Sequence, residues 1–234
     1  MQKLKVGVVF GGVSSEHNVS KVSGSSVISN LNKEKYDILP IYIDEKGNWY
    51  TYEKNINEIE ILDIDSNIEK DLKPISNIQE MLKSLDVVFP VLHGLGGEDG
   101  SIQGLFELFN IPYVGCGILA SSVGMDKAYT KIIFEKAGIK QAKYEYIRSY
   151  NGRYIYVDKE FNEEVLSLNE VAKIIDNNLN YPMFIKPSNS GSSVGINKAN
   201  NIEELKYAIE YAAKFDKKIL IEQGLVGKEV ECAV

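Results

Sequence analysis

The sequence has few of the features that mark secreted, membrane-spanning or zinc-binding proteins. Its 234 residues include two cysteines, Cys116 and Cys232, and two histidines, His17 and His93, whose spacing does not match a zinc site. It contains no window of about 18 apolar residues, so we expect no membrane-spanning segment. The apolar run at residues 6–10 is too short for a secretory signal. We therefore expect a cytoplasmic protein with no metal ligands of its own, in which both cysteines are buried, reduced thiols.

Positively charged residues are also fewer than negatively charged ones. The chain carries 26 lysines and arginines against 33 acidic residues, a net charge of −7. Such a surface repels phosphate-rich polymers, which argues against nucleic acid or an anionic membrane as a partner. Hydrophobic residues make up 44% of the chain, enough to bury a core in one or two domains.

The first half of the chain alternates apolar strands with helical patterns. Residues 4–10 form a run that ends at Gly11 and Gly12, as a buried parallel strand does. A helix is predicted over residues 19–31, capped by Ser14 or Ser15. Further strands are predicted at 36–43, 49–52, 86–91 and 112–115, and helices at 77–84 and 101–110. This order predicts a doubly wound α/β domain with a parallel sheet.

The second half has a mixed α+β pattern. It opens with a helix capped by Asp126 and closed by Gly138. Strands are predicted at 143–147, 153–157, 182–186, 219–223 and 228–234, and helices at 168–179 and 201–214. We therefore place a first domain at residues 1–120 and a second at 121–234, and interpret the polar stretch 53–76 as a surface insertion.

A glycine- and serine-rich loop, residues 188–195, follows the predicted strand that ends near Lys186. Small residues let backbone N–H groups approach an anion closely, and hydroxyls add donors. No Gly-Lys-Ser/Thr follows, so this is not a Walker loop. The loop is equally consistent with a flexible hairpin tip.

Lys127 lies in the first turn of the helix capped by Asp126. The positive end of a helix dipole disfavours a cation there by up to about 1 kcal/mol. A bound anion would remove that conflict, although a solvated surface lysine is the simpler interpretation.

Two more loops follow strands, at the position where doubly wound sheets bind ligands. One contains Glu16, whose carboxylate could hold a substrate ammonium or complement a helix dipole. The other begins at His93 and includes Glu98 and Asp99, which we interpret chiefly as helix caps. Residues 219–225 add a further strand edge, where Glu222 with the later Glu229 could accept hydrogen bonds from a nucleoside or be solvated at the strand end.

Taken together, these stretches resemble the D-alanine–D-alanine ligases. The opening Gly11-Gly12-Val13-Ser14-Ser15-Glu16, the run HGLGGEDGSIQG from His93, and Met125-Asp126-Lys127 match that family in order. Residues 185–195 and 222–229 match its ATP-grasp portion. The resemblance implies an N-terminal α/β substrate-binding domain followed by an ATP-grasp subdomain that lacks its last part.

The resemblance also implies roles for individual residues. Glu16 would hold the amino group of the first D-alanine and His93 would lie near its carboxylate, while Ser192, hydrogen-bonded towards Glu16, would orient the substrates. The ATP contacts it implies are Lys127, Lys186, Ser193, Val194, Glu222, Gln223, Leu225 and Glu229. Gly224 stands where relatives often have an aromatic residue, which departs from the family pattern for stacking on adenine.

Family members continue for about another third of their length. By resemblance, the Mg²⁺ (or Mn²⁺) ligands are expected beyond residue 234, and we expect the chain as given to be C-terminally truncated and inactive alone. The implied activity is ATP-dependent synthesis of D-alanyl-D-alanine for peptidoglycan, by a homodimer formed through the N-terminal domain. Two alternatives stay open: a ligase that makes D-alanyl-D-lactate or D-alanyl-D-serine, and a noncatalytic nucleotide- or amino-acid-binding module.

Overall fold

The computed structural model describes residues 2–52, 72–230 and 232. It divides into two compact units, one ending at Met125 and the next beginning at Asp126, five residues beyond the boundary expected from the sequence. Within the described residues, no helix has both the length and the apolar character needed to cross a membrane.

The first unit is built on a five-stranded sheet. Its elements are β1 (Leu4–Gly11), α1 (His17–Asn30), β2 (Tyr36–Ile43), β3 (Trp49–Tyr52), β4 (Leu72–Pro74), α2 (Ile78–Lys83), β5 (Val87–Pro90), α3 (Ser101–Leu108) and α4 (Ile118–Met125). The strand order is β4-β3-β2-β1-β5. β1 pairs in parallel with β2 and β5, while β3 and β4 add antiparallel edge strands.

Side chains of β1 alternate between two cores, one on each face of the sheet. Val8 and Phe10 pack with Ile28 of α1, whereas Val9 packs with Leu82 of α2 and Phe106 of α3. A strand that is buried on both faces has a continuous apolar sequence, as this one does. The structure thus confirms the doubly wound α/β class of the first unit.

The second unit contains a six-stranded antiparallel sheet. Its elements are α5 (Lys127–Lys136), β6 (Tyr144–Tyr150), β7 (Arg153–Val157), β8 (Glu163–Leu166), α6 (Leu168–Asn178), β9 (Met183–Pro187), β10 (Asn197–Ala199), α7 (Ile202–Ala212) and β11 (Lys218–Gln223). The strand order is β10-β9-β11-β6-β7-β8. β9 and β10 form a hairpin whose connection contains the glycine-rich loop.

The two faces of this sheet are covered by different helices. The larger core packs α6 and α7 against Ile185 of β9 and against Ile219 and Ile221 of β11. Leu220 points to the opposite face, where it packs with Ala128 of α5. Because side chains alternate along a strand, Lys186 and Glu222 also lie on the face covered by α5. This alternation positions the candidate site.

Several sequence predictions were wrong in detail. Of the predicted strand 112–115, only a bridge between Tyr113 and Val88 is present. The strand predicted at 228–234 is absent from the described residues 228–230, where the chain has no regular structure; most of its remainder lies outside the described residues. β4 falls inside residues 53–76, which were predicted to be a surface insertion. Most of that stretch also lies outside the described residues. Both cysteines are exposed rather than buried, since Cys116 and Cys232 lie outside the strands and helices.

Candidate functional site

In the second unit, two lysines pair with one carboxylate on the face of the sheet covered by α5, and a third interacts with it electrostatically. The Glu222 carboxylate pairs with Lys131 Nζ through Oε1 and with Lys186 Nζ through Oε2, each at 2.5 Å. Lys186 reaches Glu222 diagonally from the adjacent strand β9, where it stands directly opposite Leu220. The carboxylate is largely buried, with its side chain 14% exposed. Glu222 therefore holds two cations in fixed positions.

Lys127 occupies the end of this group nearest the glycine-rich loop. Its Nζ donates to the carbonyl oxygens of Ser190 at 2.5 Å and Ser188 at 3.4 Å. The cation that the sequence marked as unfavourable at a helix start is thus stabilised by carbonyl groups of the loop. Burial lowers the pKa of the Lys127 ammonium, and repulsion from Lys186 lowers it further against the opposing pull of nearby carboxylates.

Sequence analysis did not identify Lys131. It lies one helical turn after Lys127, and residues four apart on a helix share a face. That spacing was the available signal, but it became specific only once Glu222 was placed opposite it.

The glycine-rich loop connects β9 and β10. Gly195 has φ of +79°, and a Cβ there would lie 2.6 Å from Pro187 Cγ, so a side chain would be strained and crowded. Ser192 and Ser193 also have positive φ, at +49° and +60°, and both are exposed. The amide of Val194 donates to the Gly191 carbonyl at 3.1 Å. The loop thus has the hairpin geometry that the sequence left open and presents two serines at its surface.

Gln223 is the last residue of β11, and Gly224, Leu225 and Glu229 follow it. The Gln223 amide donates to Lys143 O, and its side chain accepts a hydrogen bond from Asn180 N. A Cβ on Gly224 would lie 2.9 Å from Pro182 O, which explains why a large residue is absent there. Leu225 and Glu229 are exposed, so the structure does not bring them into the lysine group.

In the first unit, two loops meet at the carboxyl ends of neighbouring strands β1 and β5. Glu16, the N-cap of α1, has its Oε2 within 2.6 Å of where a Cβ on Gly94 would lie, so its carboxylate packs against that glycine. His93 Nε2 is 3.0 Å from Ser23 Oγ, and its Nδ1 is 3.7 Å from Glu98 Oε1. Glu16 and His93, both predicted from the sequence, therefore belong to one cluster in this unit.

The structure bears out the capping role expected for Asp99 and corrects those expected for Glu98 and for Ser14 or Ser15. Glu98 accepts from Gly94 N and so closes its own loop rather than capping α3, whose N-cap is Gly100. Asp99 accepts from both Gly96 N and Ser101 N, so it does reach the helix start. Glu16, rather than a serine, stands at the N-cap of α1 and makes no side-chain capping hydrogen bond there.

His17 supports the first loop, and sequence analysis assigned it no role. It is buried, with Nδ1 2.7 Å from Gly12 O and Nε2 3.1 Å from the Tyr42 hydroxyl. A carbonyl oxygen only accepts, so Nδ1 carries the proton in this arrangement. Ser20 accepts from Gly11 N and donates to Val91 O, which links the ends of β1 and β5.

The arrangement of sheet, hairpin and lysines defines the second unit as an ATP-grasp fold. A family model described as the D-ala D-ala ligase N-terminus matches residues 5–116, and one described as the D-ala D-ala ligase C-terminus matches residues 133–234. These two models lie in order and together match most of the chain. The chain therefore belongs to the D-alanine–D-alanine ligase family.

Individual relatives agree with this assignment. The D-alanine–D-alanine ligases of Acetivibrio thermocellus and Clostridium novyi are each 47% identical over 99% of this chain, which spans 65% and 64% of their lengths. Among solved structures, the VanG D-Ala:D-Ser ligase from Enterococcus faecalis matches with a TM-score of 0.79 and 38% identity. The D-alanine-D-alanine ligase from Coxiella burnetii matches with a TM-score of 0.80 and 27% identity. Each structural match covers 97% of this chain and 64% or 63% of the other.

Two buried carboxyls predict how stability depends on pH. Burial raises the pKa of Asp126, but hydrogen bonds from Lys218 and Ser188 outweigh it and leave that pKa below its ordinary value. Burial likewise raises the pKa of Glu222, but the hydrogen bonds and charges of Lys131 and Lys186 leave it lowered. A lowered folded pKa contributes stability above the unfolded value of about 4, which is lost as pH falls through the folded pKa.

We expect the unfolding free energy of the second unit to fall in acid, with each such carboxyl adding a slope of up to about 1.4 kcal/mol per pH unit. Asp126→Asn removes one of these carboxyls and keeps an acceptor for the helix cap, so its acid slope is expected to be shallower. Urea unfolding followed by circular dichroism between pH 2 and about 6 measures both slopes. Equal slopes in the two proteins would contradict the role given to Asp126.

Proposed function

We propose that the protein joins two D-alanine molecules into D-alanyl-D-alanine with consumption of ATP, for peptidoglycan precursors. The observation that carries the proposal is the convergence of Lys127, Lys131 and Lys186 beside the glycine-rich loop. Several ammonium groups next to loop amides suit a polyphosphate. Relatives at 41–47% identity that are named D-alanine–D-alanine ligase support the choice of reaction.

The electrostatics of the lysine group favour an anionic ligand. Lys127 and Lys186 repel each other, which contributes to the lowered pKa of Lys127. Phosphate oxygens between them would relieve that repulsion and replace the loop carbonyls as acceptors for Lys127. Glu222 would keep Lys131 in place while Lys186 turned towards a phosphate. Nucleotide binding is therefore expected to need little rearrangement of the sheet.

The chemistry explains why these groups are needed. A carboxylate is a poor electrophile, so phosphoryl transfer from ATP must first convert the first D-alanine to an acyl phosphate. Such transfer asks the protein mainly for positioning and charge neutralisation, which the lysines supply. The amine of the second D-alanine then attacks, and phosphate leaves. Closure of the loop that carries Ser192, Ser193 and Val194 would exclude water from the acyl phosphate.

The remaining residue roles in the proposal follow the family resemblance. Glu16 would pair with the ammonium of the first D-alanine, and His93 would lie near its carboxylate. Glu222, the backbone of Gln223 and Leu225, and Glu229 would hold the adenine and ribose of ATP. The hydrogen bond from Ser192 towards Glu16 that the resemblance implies stays a prediction.

The residues present fit ATP, because the lysine group and the loop supply cations and amides for its phosphates. The proposal includes Mg²⁺ because the family resemblance implies it. Among the residues that the structure describes, no group of three or more His, Cys, Asp or Glu side chains could hold a metal ion.

One comparison supports a second candidate product, D-alanyl-D-serine. The VanG D-Ala:D-Ser ligase is 38% identical to this chain, a higher identity than that of the Coxiella burnetii D-alanine-D-alanine ligase. Both candidates share the first D-alanine and the ATP site described above. They differ in the nucleophile that attacks the acyl phosphate.

The protein expressed from its intact gene is expected to release phosphate from ATP only when D-alanine is present, and to form D-alanyl-D-alanine. Mass spectrometry of reactions containing D-alanine alone, or D-alanine with D-serine or D-lactate, identifies the product. Predominant D-alanyl-D-serine would support the second candidate. ATP binding without any ligated product would instead indicate a noncatalytic binding module.

The proposal also includes a homodimer formed through the first unit and a cytoplasmic location. Both rest on the family resemblance. Sedimentation of the purified protein at several concentrations tests the dimer, and a monomer at all of them would rule it out.

A further inference from the structure

A cluster of three polar side chains lies at the base of the glycine-rich loop, outside the set of residues proposed above to contact the substrates or ATP. It consists of Asp126 at the N-cap of α5, Ser188 at the start of the loop, and Lys218 at the start of β11. Asp126 and Ser188 are 6% and 0% exposed, and the Lys218 side chain is 16% exposed. We call these three residues the Asp126 cluster.

Both carboxylate oxygens of Asp126 are engaged. Oδ1 accepts hydrogen bonds from the Ser188 hydroxyl at 2.6 Å and from the amides of Ala128 and Tyr129 at 3.1 and 3.2 Å. Oδ2 accepts from Lys218 Nζ at 2.5 Å. One side chain thus joins the first turn of α5, the loop and the first residue of β11.

The cluster is connected directly to Lys127. The Ser188 carbonyl accepts from the Lys127 amide at 3.0 Å and lies 3.4 Å from its Nζ. The Ser188 amide donates to the Lys218 carbonyl at 2.9 Å, which holds the residue from its other side. A displacement of Ser188 would therefore move an acceptor of the Lys127 ammonium.

The base of the loop is held while its tip is exposed. The Asp216 carboxylate accepts from both the backbone and the side-chain nitrogen of Asn189, at 2.7 and 2.9 Å. Ser192 and Ser193, three and four residues further, are exposed. The loop can then change at its tip without losing the position of its first two residues.

We propose that Lys218 is a positioning residue of the nucleotide site. Through Asp126 it orients Ser188 and the first turn of α5, and these in turn set the position of the Lys127 ammonium. The proposal rests on the proposed function, because it assumes that Lys127 contacts ATP.

The geometry separates this role from helix capping. A neutral acceptor at position 126 suffices to cap the helix and to accept from Ser188. The charge of Asp126 is needed only for Lys218, whose Nζ also lies 3.9 Å from the centre of the Tyr129 ring on α5. Lys218 therefore contacts α5 twice, through the carboxylate and through the ring.

The experiment compares Lys218→Met, Lys218→Arg, Asp126→Asn and the double variant Lys218→Met with Asp126→Asn in the protein expressed from its intact gene. Lys217→Met is the matched control, since Lys217 is exposed and lies directly before Lys218 in the chain. Affinity for ATP is measured by calorimetry, and the KM values for ATP and D-alanine are measured separately from kcat. Urea unfolding of each variant reports stability.

Lys218→Met is expected to raise the Kd and KM for ATP about tenfold or more, because a small misplacement of a binding group is costly, while the KM for D-alanine changes less. Lys218→Arg restores most of the affinity, Lys217→Met matches the wild type, and Asp126→Asn adds no further loss to Lys218→Met. Additive losses in that double variant would overturn the proposed route through Asp126.

A variant Lys218→Met that is less stable but binds ATP as the wild type does would also overturn the proposal and leave a purely structural ion pair. If that variant does not fold, Asp126→Asn carries the same test through the other partner. Failure of the wild type to bind ATP would instead contradict the proposed function, so the two failures are distinguishable.

Discussion

Lys186→Met is expected to lower ATP-dependent turnover about 100-fold or more, with a matching loss of ATP affinity. Lys186 is one of the cations that converge beside the loop, and its Nζ is held by Glu222 rather than by solvent. Methionine keeps the unbranched shape and most of the length of the side chain, and Glu222 stays paired with Lys131. The variant should therefore fold but lack the positive charge that is proposed to contact the phosphates of ATP.

Lys198→Met provides the control for this prediction. Lys198 stands opposite Phe184 on the paired strand β10 and is exposed, so its replacement should leave turnover and ATP affinity within about twofold of the wild type. Calorimetric titration with ATP and a coupled phosphate assay measure both variants. Equal effects of the two substitutions would show that Lys186 acts only through net charge.

Gly94→Ala is expected to raise the KM for D-alanine about tenfold or more, because the new methyl group would occupy the space of the Glu16 carboxylate. The added Cβ would lie 2.6 Å from Glu16 Oε2 and 3.0 Å from Ser14 Oγ. Glu16 must then move, and with it the group proposed to hold the first substrate ammonium. An alanine at this position would also strain the backbone, since Gly94 has φ of +71°.

Gly96→Ala separates these two effects. Gly96 has φ of +83°, and a Cβ there meets nothing within 4 Å. Both alanine variants therefore share the strain of a left-handed residue, about 1–2 kcal/mol, and only Gly94→Ala displaces Glu16. Equal KM values for D-alanine in the two variants would contradict the role proposed for Glu16.

Much of the fold could be predicted from the sequence because its signals are local. The apolar runs of β1 and β11 follow from the burial of both faces of each strand. The helix start at Asp126 was predicted correctly because a capping side chain bonds to amides two and three residues ahead. The errors fell where local signals are weak, such as the isolated bridge at Tyr113.

The candidate site was predicted less completely. Lys127, Lys186 and Glu222 were identified, chiefly through the resemblance, and the structure brings them together with Lys131. The loop at 188–195 could not be told from a plain hairpin by its composition, and the structure shows that it is both a hairpin and a partner of Lys127.

Local sequence patterns were sufficient to predict most of the strands and helices, the helix cap at Asp126 and the place of the glycine-rich loop, although they missed α4, β8 and β10. Which charges meet depends on the tertiary structure. Lys186 and Glu222 are 36 residues apart, and Asp126 and Lys218 are 92 apart. These pairs depend on the pairing register of β9 with β11 and on the packing of α5 over that sheet. Both join segments that are distant in the chain, and neither segment carries a sequence pattern that identifies its partner.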